Sequence, residues 1–169
     1  MRNTFLFYLC ILLSTTLFPQ KNTLFLKSGK IELSSDIKVI KDDNINYHFM
    51  VFSKIPTNQT KEKIKDLGID FLEYIPNRAY VVSVPKQTNI TNLSDFGIVS
   101  LTAIKPHFKI DSKLQNNNFP SWAFNNNMLS VKVLLYKNAD LSSVKEHCRI
   151  SNYQIDAINS FSNSITLTV

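Results

Sequence analysis

Apolar and polar positions along the chain fall into a unit that occurs twice: an apolar strand, a short amphipathic helix, a second strand and a third. In the first copy the run Phe49-Met50-Val51-Phe52 has no polar interruption and reads as a central strand buried on both faces. Pro56-Thr57 then opens a helix, with Thr57 as its N-cap, Ile64 and Leu67 as its inward stripe and Gly68 as a left-handed C-terminal stop. Ile69 to Ile75 is the next strand, Pro76-Asn77 the turn, and Ala79 to Val84 a second nearly continuous apolar strand. A second helix follows, with Leu93 and Phe96 inward and Gly97 as its stop, and Ile98 to Ile104 closes the unit as an alternating strand. Right-handed crossovers place both helices on one face and leave the Phe49 and Tyr80 strands in the middle of an antiparallel sheet. The β-α-β-β-α-β order is that of a ferredoxin-like unit.

From Lys105 to Asn127 the pattern breaks into a polar stretch with two Asn triplets around Phe119-Pro120-Ser121-Trp122-Ala123, read as a linker with a packed aromatic anchor. The unit then restarts. Leu129, Val131, Val133 and Leu135 alternate along a strand, and Asp140 caps a helix with the stripe Leu141, Val144 and Cys148. Tyr153 to Ile158 forms the second strand, and Ile165, Leu167 and Val169 mark the third. The expected class is therefore α+β, with tandem ferredoxin-like units whose helices share one face. The expected division is a signal peptide at 1–20, a first unit with an N-terminal strand segment at 21–108, a linker at 109–127 and an incomplete second unit at 128–169. Lacking its last helix and strand, the second unit should carry an unpaired edge and an uncovered apolar patch, so the sequence reads as a truncated piece or as one that a partner completes.

Arg2 precedes an apolar run from Phe5 to Leu13, a Ser/Thr stretch and Pro19-Gln20, the layout of a signal peptide and shorter than the roughly 20 residues of a bilayer span. A secreted, periplasmic or envelope location is expected, with no membrane association after cleavage. Cys10 lies in the leader without the small residue that a lipoprotein site needs before it, so Cys148 is the thiol of the mature chain, and it reads as a small core hydrophobe. The formal charge of +6 is spread among acidic residues rather than clustered, which favours solubility over polyanion binding.

A serine hydrolase needs a nucleophile, a base and a group that orients the base. His48 abuts a buried strand, His107 opens the linker and His147 lies on a helix, and none stands in a glycine-flanked turn. Gly29, Gly68 and Gly97 provide no nucleophile elbow and no phosphate-cradling loop. The pairs Glu62 with Glu73 and Asp66 with Asp70 read as solvated faces. The sequons at Asn58, Asn89 and Asn92 are those an Asn-rich chain contains by chance. Arg78-Ala79-Tyr80-Val81-Val82 resembles the third-strand signature of RNA-recognition modules but lacks its glycine and second aromatic, so no nucleic-acid partner is expected. No catalytic, cofactor-binding or metal-binding residue and no cofactor are expected.

The opening Leu24-Phe25-Leu26-Lys27-Ser28-Gly29 resembles that of secreted bacterial subtilisin-like serine peptidases, in which small α+β units precede the catalytic domain. Similar segments follow in order: Ile55-Pro56-Thr57, Leu72-Glu73-Tyr74-Ile75-Pro76-Asn77, Ala79-Tyr80 and Pro120-Ser121-Trp122-Ala123. The Asp, His and Ser blocks of the catalytic domain are absent, so no catalytic residue carries over. The resemblance implies a non-catalytic, propeptide-like region that assists folding of the catalytic domain, inhibits it, or both, with that domain as partner in cis or in trans. The competing expectation is a standalone extracellular protein-binding module or protease inhibitor.

Overall fold

The computed structural model describes residues 22–26, 28–37 and 46–169; the expected signal peptide, with Cys10, lies outside them. The chain is mixed α+β, with antiparallel sheets and few helices. A hairpin of β1 (Asn22–Leu26) and β2 (Gly29–Leu33) precedes a sheet built from β3 (Asn46–Phe52), β4 (Asp70–Ile75), β5 (Ala79–Val84) and β6 (Ile98–Ala103), in the order β4-β5-β3-β6. The two uninterrupted apolar runs, β3 and β5, are its central strands. From Phe49 to Phe52 and from Ala79 to Val82 each side chain meets a packed layer on whichever face it points to, and this selects apolar residues there.

One face of this sheet presents Met50, Phe52, Tyr80, Val82, Val84, Ile98 and Leu101 to helix α1 (Asn58–Asp66) and the loop after β5. Thr57 caps α1, its Oγ1 accepting from the amide of Thr60 at 3.2 Å, and Lys63 and Lys65 complement the dipole in the last turn. Ile64 is fully buried, whereas Leu67 is 39% exposed and leaves the inward stripe assigned to it. Gly68 ends the helix at φ +84, a conformation that costs a residue with a Cβ. The expected second helix is a single 3₁₀ turn, Leu93–Phe96, stopped by Gly97 at φ +77. Leu93 is fully buried and Phe96 packs beside it, so one turn is enough to seal that side of the sheet.

The other face carries Phe49, Val51, Ile75, Ala79 and Val81, and the β1-β2 hairpin lies over it with Leu24 and Leu33 buried. The expected N-terminal strand segment is thus a cover for the helix-free face. Ser34 to Ile37 also run along the outer edge of β6: the Leu101 amide donates to Asp36 O at 3.0 Å and Ser100 Oγ to Ser34 O at 2.7 Å.

The polar stretch after β6 holds more order than a linker. A turn of helix α2 (Ser112–Gln115) is capped by Asp111, and β7 (Phe124–Asn125) is the first strand of a second sheet. Trp122 is 83% exposed and anchors nothing; Ala123 is buried instead, and Phe119 meets Phe124 edge to face. The Asn residues of this stretch have a local use. Asn126 and Asn127 take positive φ, 49 and 62, and make the two-residue loop that returns β7 into β8 (Met128–Leu134). Asn tolerates this region because its side chain bonds locally, and Asn77, Asn117, Asn152 and Asn163 use the same freedom.

The second sheet has the order β7-β8-β10-β9, with β9 (Gln154–Asn159) and β10 (Ser164–Thr168) after helix α3 (Leu141–Ile150). Asp140 caps α3, accepting from the amides of Ser142 and Ser143, and Cys148 is buried against Ile165 and Leu167. The two units touch through Tyr136, which packs on the hairpin side of the first sheet. Its ring centroid is 4.4 Å from that of Tyr47, whose hydroxyl donates to Asn138 Oδ1 at 3.3 Å.

Met50 is buried between helix and sheet with its backbone paired on both sides, so Met50→Ala should cost about 2–5 kcal/mol in denaturant unfolding. Burial first, then the charge of Glu73 and the neighbouring Tyr47, raises the Tyr136 pKa above its ordinary 10.0; burial likewise raises that of Tyr47. A raised phenol pKa contributes stability that is intact below pH 10.0 and declines as pH rises through the folded-state value. The melting temperature should therefore fall on the alkaline side of pH 10.0, and fall less steeply in Tyr136→Phe; identical alkaline limbs would contradict this.

Candidate functional site

The residues considered for chemistry are dispersed and engaged in structure. His48 is fully buried on β3, His107 lies in the 3₁₀ turn Pro106–Lys109 with its ring 4.0 Å from that of Phe108, and His147 is on α3. Glu62 pairs with Lys65 at 4.0 Å. Asp66 ends α1 and Asp70 begins β4. A shallow depression on α3 is lined by Asp140, Ser142, Ser143, Glu146, His147 and Ile150, but its acids hold the helix together. The Ser143 hydroxyl, then the Ser142 and Ser143 amides, hold Asp140 below the usual carboxylate range, and Arg149 does the same for Glu146 through bonds of 2.6 and 2.8 Å. Among the described residues no three His, Cys, Asp or Glu side chains group as metal ligands.

Tyr80, the aromatic of the RNA-recognition-like segment, points toward α1. It packs edge-on against Phe52 and Phe71, with Lys61 Nζ 4.8 Å from its ring centroid. That is the covered side of the sheet, so the ring offers no platform to a base.

The two sheets share a set of corresponding hydrogen bonds, and they differ along the outer edge of β8. The Phe52 amide donates to Arg78 O at 3.0 Å, and the Leu135 amide donates to Asn163 O at 2.8 Å; Arg78 and Asn163 share left-handed φ values of 64 and 46. The helix caps Thr57 and Asp140 follow Phe52 and Leu135 at the same interval. Val84 pairs with Asn46 just as Val169 pairs with Leu129. Phe52, Met50 and His48 therefore correspond to Leu135, Val133 and Val131.

Along β3, the positions between these residues bond outward to β6: Tyr47 O accepts from Ile104 N at 2.9 Å, and Ser53 N donates to Gly97 O at 2.8 Å. Along β8, Leu129 exchanges both of its backbone bonds with Val169 on the β10 side. Antiparallel alternation then directs the amides and carbonyls of Ser130, Lys132 and Leu134 to the opposite edge. Among the described residues the strand on that edge is β7, and it pairs only with Leu129 and Met128. It stops next to the stretch where a counterpart of β6 would lie.

The side chains record the same vacancy. His48, Met50 and Phe52 are buried, while Val131, Val133 and Leu135 are only half-buried on the helix side of their sheet. Ile165 and Leu167, under α3, are sealed. On this border of the second sheet, among the described residues, the outward backbone groups of Ser130, Lys132 and Leu134 face no strand and the apolar side chains between them are half-covered. Sequence periodicity missed β7, which shortens that border; the signal was the Asn126-Asn127 pair between Phe124-Asn125 and Met128-Leu129.

No curated protein and no solved structure matches the chain. The stretch that does match a family begins at residue 12 and ends just past β6, taking in the hairpin and the first sheet and leaving the second sheet outside. This match, over residues 12–105 and more than half of the sequence, places the chain in the family described as Domain of unknown function (DUF8729), to which it belongs.

Proposed function

We propose that the chain is a non-catalytic, propeptide-like region of a secreted subtilisin-like serine peptidase that assists folding of the catalytic domain, inhibits it, or both. In this reading the two sheets are tandem ferredoxin-like units, the second without its last helix and strand, and the partner acts in cis or in trans. The observation that carries it is the half-covered border of the second sheet along Ser130 to Leu134, beside a first unit closed on both faces. A protein that folds around a sealed core and keeps one apolar, hydrogen-bonding border is equipped to hold another polypeptide.

The strand order β4-β5-β3-β6 and its three-strand counterpart β9-β10-β8 support the tandem reading. The apolar run before residue 14 supports export. The segments similar to subtilisin-like peptidases fall where the fold is set: on β1, before α1, at the β4-β5 turn and in front of β7. They point to shared architecture, and binding supplies the function. A domain that binds only the native peptidase stabilises it by mass action, by about 2.7 kcal/mol at a hundredfold excess over Kd.

The test is refolding of the denatured peptidase encoded with the chain, with and without the full chain in trans. A several-fold gain in active yield, or dose-dependent inhibition of the native peptidase, is expected. Neither gain nor inhibition would end this reading.

A further inference from the structure

We infer that the open edge of β8 is a strand-addition site, which takes an extended segment of a partner polypeptide antiparallel to β8, with apolar residues at alternate positions and an acidic residue between them. This deepens the binding reading above by naming the mode of recognition.

The first unit supplies the template. There β6 places Ile98 opposite Phe52, Leu101 opposite Met50, Thr102 opposite Phe49 and Ala103 opposite His48. Carried to the second unit through the shared hydrogen bonds, these positions lie opposite Leu135, Val133, Lys132 and Val131. Three half-buried apolar side chains on the helix side would each gain an apolar neighbour. Ser130, Lys132 and Leu134 would each gain backbone partners for an amide and a carbonyl. β7 fixes where the added strand ends, because it already holds Leu129.

The face away from α3 selects charge. Lys132 is exposed at the middle of the open stretch, and the residue opposite it occupies the place of Thr102. An acidic residue there complements it in a chain of formal charge +6. The same lysine disfavours a second copy of the chain. Two β8 edges centred on Lys132 would set lysine directly against lysine, and a register centred on Val131 needs Leu129, which β7 occupies; a register centred on Val133 sets Lys132 against Leu134, which leaves the charge without a partner.

In the first unit the strand arrives with its own cover, Leu93 and Phe96, over the sheet. The probe is therefore a labelled peptide with residues 90–104 of this chain and Thr102→Glu, titrated by fluorescence anisotropy against the full chain. Saturable binding is expected, with slowed hydrogen exchange at the amides of Ser130, Lys132 and Leu134. Lys132→Glu should weaken this peptide and strengthen one carrying Thr102→Lys, each by roughly threefold. Lys132→Pro, which removes the central outward donor, should weaken both by about tenfold while the far-ultraviolet spectrum stays native.

Binding that Lys132→Glu and Lys132→Pro leave unchanged, protection elsewhere than on β8, or no binding would each overturn the site, as would a dimer in sedimentation that Lys132→Glu alters. Peptide capture without any effect on peptidase refolding or activity would keep the strand site and remove the peptidase reading, and the converse result would do the reverse.

Discussion

Every other part of the first unit is arranged around β3, a strand whose two edges and two faces are all occupied. Its amides and carbonyls are divided between β5 and β6, Met50 and Phe52 meet α1 and the Leu93 turn, and Phe49 and Val51 meet the hairpin. A buried backbone group without a partner costs about 1–3 kcal/mol, so a strand buried on both faces requires neighbours along its full length. The two edges explain the β4-β5-β3-β6 order, and the two faces explain why an N-terminal hairpin is drawn onto a sheet that already has a helix. β8 has the same sequence pattern on its inward face but one edge pair fewer. That edge pair and the hairpin over the helix-free face are what distinguish the first sheet from the second among the described residues.

The hairpin also bears on which surfaces are free to bind. An antiparallel sheet with helices on one side ordinarily leaves the opposite face as the obvious docking surface. Here Leu24 and Leu33 are buried on that face, and Tyr136 with Phe108 packs at its border. The Ser34 to Ile37 segment lies along β6, so that outer edge is occupied as well. The proposed binding surface accordingly lies on the second sheet, the part of the chain that the family match leaves outside residues 12–105.

Legibility followed the range of the interaction. Uninterrupted apolar runs identified the central strands, and local caps at Thr57, Gly68, Gly97 and Asp140 fixed where helices begin and turns end, because each depends on residues within a few positions. The second helix of the first unit is reduced to a 3₁₀ turn in which Leu93 is buried and Phe96, half-buried, packs beside it against the core. Leu67 satisfied the helical period yet points outward, as a residue at the very end of a short helix follows its cap rather than its stripe. Composition misled most in the Asn-rich stretch. A polar run reads as linker, whereas Asn126-Asn127 is a tight hairpin loop whose left-handed geometry polar composition does not encode. The strand on the outer side of β8 was not legible, because β7 belongs to the stretch assigned to the linker.

The energetics set what an occupant of β8 must bring. Ordering the backbone of an extended segment costs about 1–2 kcal/mol per residue, and each hydrogen bond returns a net of only about 0.5–1.5 kcal/mol. A bare strand across Ser130 to Leu134 therefore falls short on backbone bonds alone. The deficit is made up by apolar burial at roughly 25 cal/mol per Å², and the area available is that of Val131, Val133 and Leu135, which are half-buried at present. These side chains gain most when the strand is accompanied by a cover like Leu93 and Phe96, which pack into the same cluster as Met50 and Phe52 in the first unit. An edge of this kind discriminates against short extended peptides, which pay the ordering cost without the cover. It favours a partner whose strand is already ordered in a folded domain, or one that carries an apolar turn ahead of it.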